Sequence, residues 1–342
     1  MIWLTWRQNR AQLVTAGAAV AVVAVAAGWT GRRLADLVTT TDTGYDLLTP
    51  ADIALFFAGV VMLAVVPGLV GAFWGAPMVA HEMETGTYRL VWNQSVTRTR
   101  WLATRLGLTA LAAAAVTGLL SLAVTWWAGP IDGVVGARTG SLPTRLTPVT
   151  FAMRGVVPVA YTLFALVLGV VIGAVVRRTV PAMAITLGLF LAVQIAVPLW
   201  VRPHLATPAD LTVTMDISTF DGLSRSGLDG PITLTAQPSD RGDWVLSNTT
   251  VDAAGAAVEL PPWFAECVAP PGGPPRERAA AEGKGPLASC LARLGAEGYR
   301  QRLVYQPANR FWTLQWRESA LFVLAAGGLA AVGLWWVRVR LS

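Results

Sequence analysis

The stretch that comes nearest to a reactive constellation is His81-Glu82-Met83-Glu84-Thr85. A zinc-protease helix needs a second histidine four residues after the first, so that both imidazoles face one ion. Thr85 occupies that place, and the only other histidine is His204. A phosphate-cradling loop needs Gly-x-x-x-x-Gly-Lys-Ser/Thr, whereas the single lysine stands in Glu282-Gly283-Lys284-Gly285-Pro286. No Ser/His/Asp set or carboxylate pair is evident. The expectation is a chain with no catalytic site, no metal and no cofactor of its own.

The same stretch opens a longer polar segment, residues 80–100, with a different character. Glu82 and Glu84 precede a break at Gly86-Thr87, then come Tyr88, Leu90, Val91 and Trp92, then Arg98 and Arg100. A short amphipathic helix with a charged rim suits docking into a groove on a partner. The ordinary alternative is a solvated interfacial loop whose Trp and Arg anchor the next helix. The two cysteines, Cys267 and Cys290, form a second candidate pair. A disulfide between them is expected if their segment lies outside the cytoplasm; otherwise they are free thiols.

The elements that must carry these residues are apolar. Hydrophobic residues make up 54% of the 342-residue chain and charged ones only 13%, against about 25% charged in soluble domains. Crossing a bilayer takes about 20 apolar residues as a helix. Six stretches qualify: 11–29, 53–79, 106–128, 155–176, 179–201 and 319–337, none with an Asp, Glu, Lys, Arg or His. Ala24-Val25-Ala26 has the small-residue look of a signal cleavage site, but the run around it is long, and a retained span is expected. Trp126, Trp127, Trp200, Trp335 and Trp336 fall at span ends, where an aromatic belt belongs. Gly169 and Gly173 make a small-xxx-small step for close helix contact.

Charge sets the orientation. With the N-terminus inside, the inner side holds Arg7, Arg10, Arg89, Arg98, Arg100, Arg105, Arg177, Arg178, Arg338 and Arg340. The outer short loops hold only Arg32, Arg33, Arg138, Arg145 and Arg154, so both termini are expected in the cytoplasm. The net charge of +6 is then the positive inner surface of a membrane protein rather than a nucleic-acid footprint. Ion- and proton-coupled transporters place ionisable residues in the membrane. Spans without them imply that any uphill transport draws its energy from a separate subunit.

Residues 202–318 differ in kind, holding 12 of the 21 prolines and both cysteines. Alternation at Leu211–Ile217, Ile232–Thr235 and Trp244–Leu246 predicts strands, and the Ala/Glu/Arg-rich run from Arg276 to about Tyr299 predicts a helix. The fold class expected is an α-helical polytopic membrane protein with six transmembrane helices and an extracytoplasmic α+β domain between helices 5 and 6. Its parts are an interfacial connecting helix at 1–10, five helices over 11–201, the domain at 202–318, and the last helix with a cytoplasmic tail at 319–342.

The loop resembles the first cytoplasmic loop of ABC-2 type transporter permeases, with Glu-x-Glu-x-Gly-Thr, an apolar stretch, then basic residues before the third helix. Glu82, Glu84, Gly86, Thr87, Arg98 and Arg100 match, and Arg105 stands where a lysine is common. The stretch 67–101, the opening 2–8 and the segment 305–316 look like actinobacterial members of that family. The resemblance is weak over 205–300. It implies two permease copies, each paired with an ABC ATPase subunit that uses ATP and Mg, with residues 80–100 as the coupling helix. It also implies that the second and fifth helices line the substrate path. Phe56, Phe57, Phe190 and Gln194 are the residues named for it, and a charge-free path suits hydrophobic or amphiphilic cargo. For Gln194 the plainer role is a hydrogen bond to a neighbouring helix. The implied whole is the permease of an exporter in the cell membrane. The rival is a membrane-anchored module whose extracytoplasmic domain binds a ligand.

Overall fold

The computed structural model describes residues 2–40, 49–86, 97–135, 143–225, 232–238, 240, 242–267 and 286–340. Its helices are α1 (Ile2–Thr40), α2 (Pro50–Val70), α3 (Ala76–Thr85), α4 (Arg98–Val135), α5 (Val157–Val176), α6 (Thr179–Ala196), α7 (Pro286–Ala296) and α8 (Phe311–Arg340). A π-helical turn, Gly71–Gly75, joins α2 to α3, and a second, Val197–Val201, extends α6. Among the described residues, six helical stretches are long and apolar enough to cross a membrane: Val14–Asp36, Pro50–Thr85, Thr99–Asp132, Val157–Val176, Thr179–His204 and Ala308–Arg338. Residues 2–10 lie in the same continuous helix as the first span.

These bounds correct one expectation. The charge-free stretches are only the middles of the helices. Asp36, Asp52, Glu82, Glu84, Asp132, Arg202 and Glu318 all sit on the helices themselves, within a few residues of the apolar runs. An apolar run ends where the composition changes, but an α-helix ends where its backbone partners run out.

Local sequence explains the starts and breaks. Thr49 caps α2 in a reciprocal box: its hydroxyl accepts from the Asp52 N–H, and the Asp52 carboxylate accepts from the Thr49 N–H at 2.9 Å. Pro50 fills the first helical position, where no N–H is missed. Pro67 removes a donor inside α2, and four residues later the helix widens into its π turn.

The hub of the bundle is α5, 61% of whose spanning window is buried against 6% for α1. It packs against α2, α3, α4, α6 and α8. Glycine makes this possible on one side. A Cβ on Gly169 would lie 2.2 Å from the Gly71 carbonyl oxygen, and one on Gly75 would lie 2.4 Å from that of Leu166. The two backbones therefore touch directly, and the contact seats the π turn against α5. Buried hydroxyls stitch the hub further, Thr162 donating to Thr117 at 3.1 Å and Ser121 to the Gly155 carbonyl at 2.7 Å.

A second compact unit runs from Ala206 to Arg310. Strands β1 (Ala209–Thr214), β2 (Phe220–Arg225), β3 (Ile232–Ala236), β4 (Trp244–Val251) and β5 (Arg300–Gln306) build two antiparallel sheets, ordered β1-β5-β4 and β2-β3. The unit is narrower than the expected 202–318 because Phe311–Glu318 begins α8. Three strands match the predicted positions, while β2 and β5 lay outside the alternation read from sequence. The expected helix over 276–299 is Pro286–Ala296, residues 268–285 falling outside the described part. Met215, Leu234, Phe264, Leu291, Leu294 and Leu303 form its core. Cys267 and Cys290 are joined in a disulfide, Cα to Cα 6.4 Å, tying the 3-10 turn Pro262–Cys267 to α7. Because β5 lies between β1 and β4, Ala209 pairs with Tyr305 and the unit's first and last strands run side by side. That pairing brings the unit's two ends close together.

Candidate functional site

Alternating spans put the α2–α4 connection and the α5–α6 turn on one side of the bundle. That side carries the motif residues. Glu82, near the end of α3, accepts from Arg105 on α4 at 2.9 Å, both side chains being largely covered. Arg105 in turn lies 5.3 Å from the Trp101 ring centre. Glu84 reaches a third helix: one of its oxygens accepts from both the backbone N–H of Thr179, at 3.0 Å, and the Thr179 hydroxyl, at 2.7 Å. Thr179 is the first residue of α6, so this carboxylate caps that helix where its N–H groups are unsatisfied and its dipole is positive.

Gly86 ends α3 at φ +72°, a left-handed conformation that glycine adopts without the Cβ clash other residues meet. Thr87 and the apolar residues to 96 lie outside the described part of the chain. Arg98 opens α4 and Arg100 follows it, exposed, its N–H accepted by the Thr97 hydroxyl. Arg105, further along α4, is the residue described above as paired with Glu82. Beneath these ties Met78, Val79, Leu102, Val170, Ala174 and Val337 form an apolar cluster joining α3, α4, α5 and α8.

The residues named for the substrate path separate. Phe56 is buried, edge-on to Phe57 and 5.4 Å from the Arg154 guanidinium. Phe190 is buried edge-on to Tyr161. Gln194 donates to the Ala64 carbonyl at 3.2 Å, joining α6 to α2. Only Phe57 among them turns outward, 43% exposed.

The opposite side holds what the sequence reading missed. Arg202 and Glu318 form an ion pair with both side chains fully buried. Tyr161 donates to the same carboxylate at 2.6 Å, and Arg202 also donates to the Pro148 carbonyl at 2.8 Å. The guanidinium lies 4.4 Å from the Phe151 ring centre. Nearby Gln315 accepts from the N–H groups of Val156 and Val157 and donates to the Phe151 carbonyl. Arg154 pairs with Asp132, and Arg33 with Asp52. The signal in the sequence was adjacency: each of Arg202 and Glu318 stands one residue beyond an apolar run, hence on the same helix rather than in a loop.

The arrangement is thus an apolar bundle stitched by polar ties at both ends, with apolar side chains exposed along α2, α6 and α8. No curated protein and no solved structure matches the chain. A family model described as ABC-2 membrane transporter related matches residues 17–202, which takes in the first five spans and the motif loop. The chain, multi-pass and built around that match, belongs to the ABC-2 membrane transporter related family and is a transporter permease.

Proposed function

We propose that this permease is the membrane subunit of an exporter in the cell membrane, working as a dimer and driven by two copies of a separate ATPase subunit that uses ATP and Mg²⁺. Residues 80–100 dock on that subunit. The supporting observation is the bond between Glu84 and Thr179. It ties the end of α3, from which the loop departs, directly to α6, one of the two helices assigned to the substrate path. A push on the loop therefore reaches α6 through a charged cap and α5 through backbone contact, without a flexible relay.

The loop and both termini are assigned to the cytoplasm, in keeping with the arginine asymmetry of the short loops. The Ala206–Arg310 unit is assigned to the outside, where a disulfide persists. A path through apolar helix middles suits hydrophobic or amphiphilic cargo. Of the four residues named for it, Phe57 is the one left free to meet cargo or the second copy. Phe56, Phe190 and Gln194 would act by holding α2 and α6 in place.

Gentle solubilisation of the tagged chain, identification of stoichiometric partners and an ATPase assay on the same sample test this reading. A nucleotide-binding subunit lost on Glu84→Gln or Gly86→Leu, with insertion intact, supports it. A chain that emerges alone and without ATPase activity, even after crosslinking, sinks it and leaves the outer unit as the place to look for function.

A further inference from the structure

We propose that the crevice between α1, α2 and α4 is a binding site for one acyl chain of a bilayer phospholipid, with the headgroup phosphate at Arg33. The crevice is open to the surface along one side and offers about 250 Å³. Small residues hollow it out, Ala26 and Ala27 on α1 across from Ala58 and Gly59 on α2, with Val22 and Met62 as walls. Its polar groups are spent on each other: the Trp127 indole N–H donates to the Thr30 hydroxyl at 2.7 Å, and that hydroxyl donates to the Ala26 carbonyl at 2.7 Å. What remains is hydrocarbon.

The fastening of α1 explains why the space exists. At Gly31 the helix abuts Trp126, whose ring would lie 2.8 Å from an added Cβ, and Leu34 is fully buried. Arg33 reaches Asp52 across to α2. One to two turns earlier no side chain is large enough to close the distance between α1 and α2. An unfilled apolar void forfeits dispersion contacts on its whole lining, and water gains nothing by entering it. In a spanning region the available filler is lipid hydrocarbon.

Size chooses among occupants. An apolar cavity of about 150 Å³ admits a benzene ring, so this one has room for a segment of alkyl chain. Charge chooses the headgroup. Residues 26, 30 and 33 share one face of α1, and Arg33, one turn beyond the crevice, keeps 52% of its side chain exposed while paired. A cation at the end of an apolar slot matches a phosphate at the end of an acyl chain.

The test uses the intact purified chain in vesicles containing phosphatidylglycerol with a diazirine midway along one acyl chain. After illumination, mass spectrometry maps the labelled residues. Labelling concentrated at residues 22–30 and 55–62, above that at Leu187 and Leu324, which are also exposed, is expected. Ala58→Leu and Gly59→Leu should lower it several-fold there and leave Leu187 unchanged. Labelling that simply follows exposure in the wild type, or that persists in both variants, overturns the proposal in favour of annular lipid. A photoreactive side chain at Met62 that captures a second copy instead of lipid overturns it in favour of a protein occupant. If the variants fail to fold, the wild-type map alone decides.

Discussion

Arg202 and Glu318 meet at 2.7 Å between Nε and Oε2 with neither side chain exposed, one on the extension of α6 and the other on α8. Only Leu205 separates the Arg202–His204 turn from the inserted unit, and Glu318 follows α8's start at Phe311 by two turns. The pair therefore locks together the two chain segments that lead into and out of Ala206–Arg310. Arg317 makes a second tie between the same segments, donating to the Leu205 carbonyl at 2.6 Å.

Removing one partner leaves a buried charge uncompensated, which costs about 3–5 kcal/mol, whereas replacing both by apolar residues is far milder. Glu318→Leu is expected to lower the melting temperature of the solubilised chain sharply. The double variant Arg202→Met/Glu318→Leu should recover much of the loss. Equal melting of single variant and wild type would show that the pair carries no structural load.

At the other end, Glu82 and Arg105 join α3 to α4. Exchanging their charges, Glu82→Arg with Arg105→Glu, should restore transport that either single substitution impairs, read as cargo efflux from loaded vesicles. If the double variant is no better than the singles, the contact between the two side chains is not what the helices depend on.

Gly169 places its Cα against the Gly71 carbonyl, with no space for a methyl group. Overpacking a well-packed contact costs about 1–3 kcal/mol. Gly169→Ala should lower the melting temperature, while Gly188→Ala, with open space around it, should leave it unchanged or slightly raised. Identical behaviour of the two variants would show that the α5 contact is looser than described.

The disulfide closes a loop with a sequence separation of 23, which stabilises a folded unit by about 3 kcal/mol. Reduction, or Cys267→Ser with Cys290→Ser, should raise hydrogen exchange in β4, β5 and α7 while leaving α5 protected. Exchange unchanged throughout would mean that the Leu291–Leu303 core holds the unit alone.

Acidification should act on the same unit. The Arg302 guanidinium beside Asp210, at 2.8 Å, holds that carboxyl below the ordinary range. The hydroxyl and N–H of Ser218 and the N–H of Thr219 do the same for Asp216. A carboxyl depressed in the folded state contributes stability above its unfolded pKa and loses it as pH falls through the folded one. The stability gap between wild type and Asp210→Asn is expected to be full at neutral pH and to close below about pH 4, the unfolded value for Asp. A gap independent of pH would point to packing rather than charge.

Composition and run length alone established the membrane class and the six spans, because lipid demands long apolar helices whatever the fold around them. The Glu-x-Glu-x-Gly-Thr segment was likewise visible, since a left-handed helix end needs glycine and carboxylates are few in this chain. What Glu82 and Glu84 hold was not visible: their partners, Arg105 and Thr179, stand 23 and 95 residues away. Which way Phe56 and Phe190 turn within the chain was not visible either, because apolar residues on a lipid-bathed helix look alike whether they face lipid, a neighbour or a second copy. Tertiary structure decided that, and it alone brought Tyr161, Arg202 and Glu318 together. The affinity of a buried cation for a buried anion depends on distance and desolvation, quantities that exist only once α5, α6 and α8 are packed.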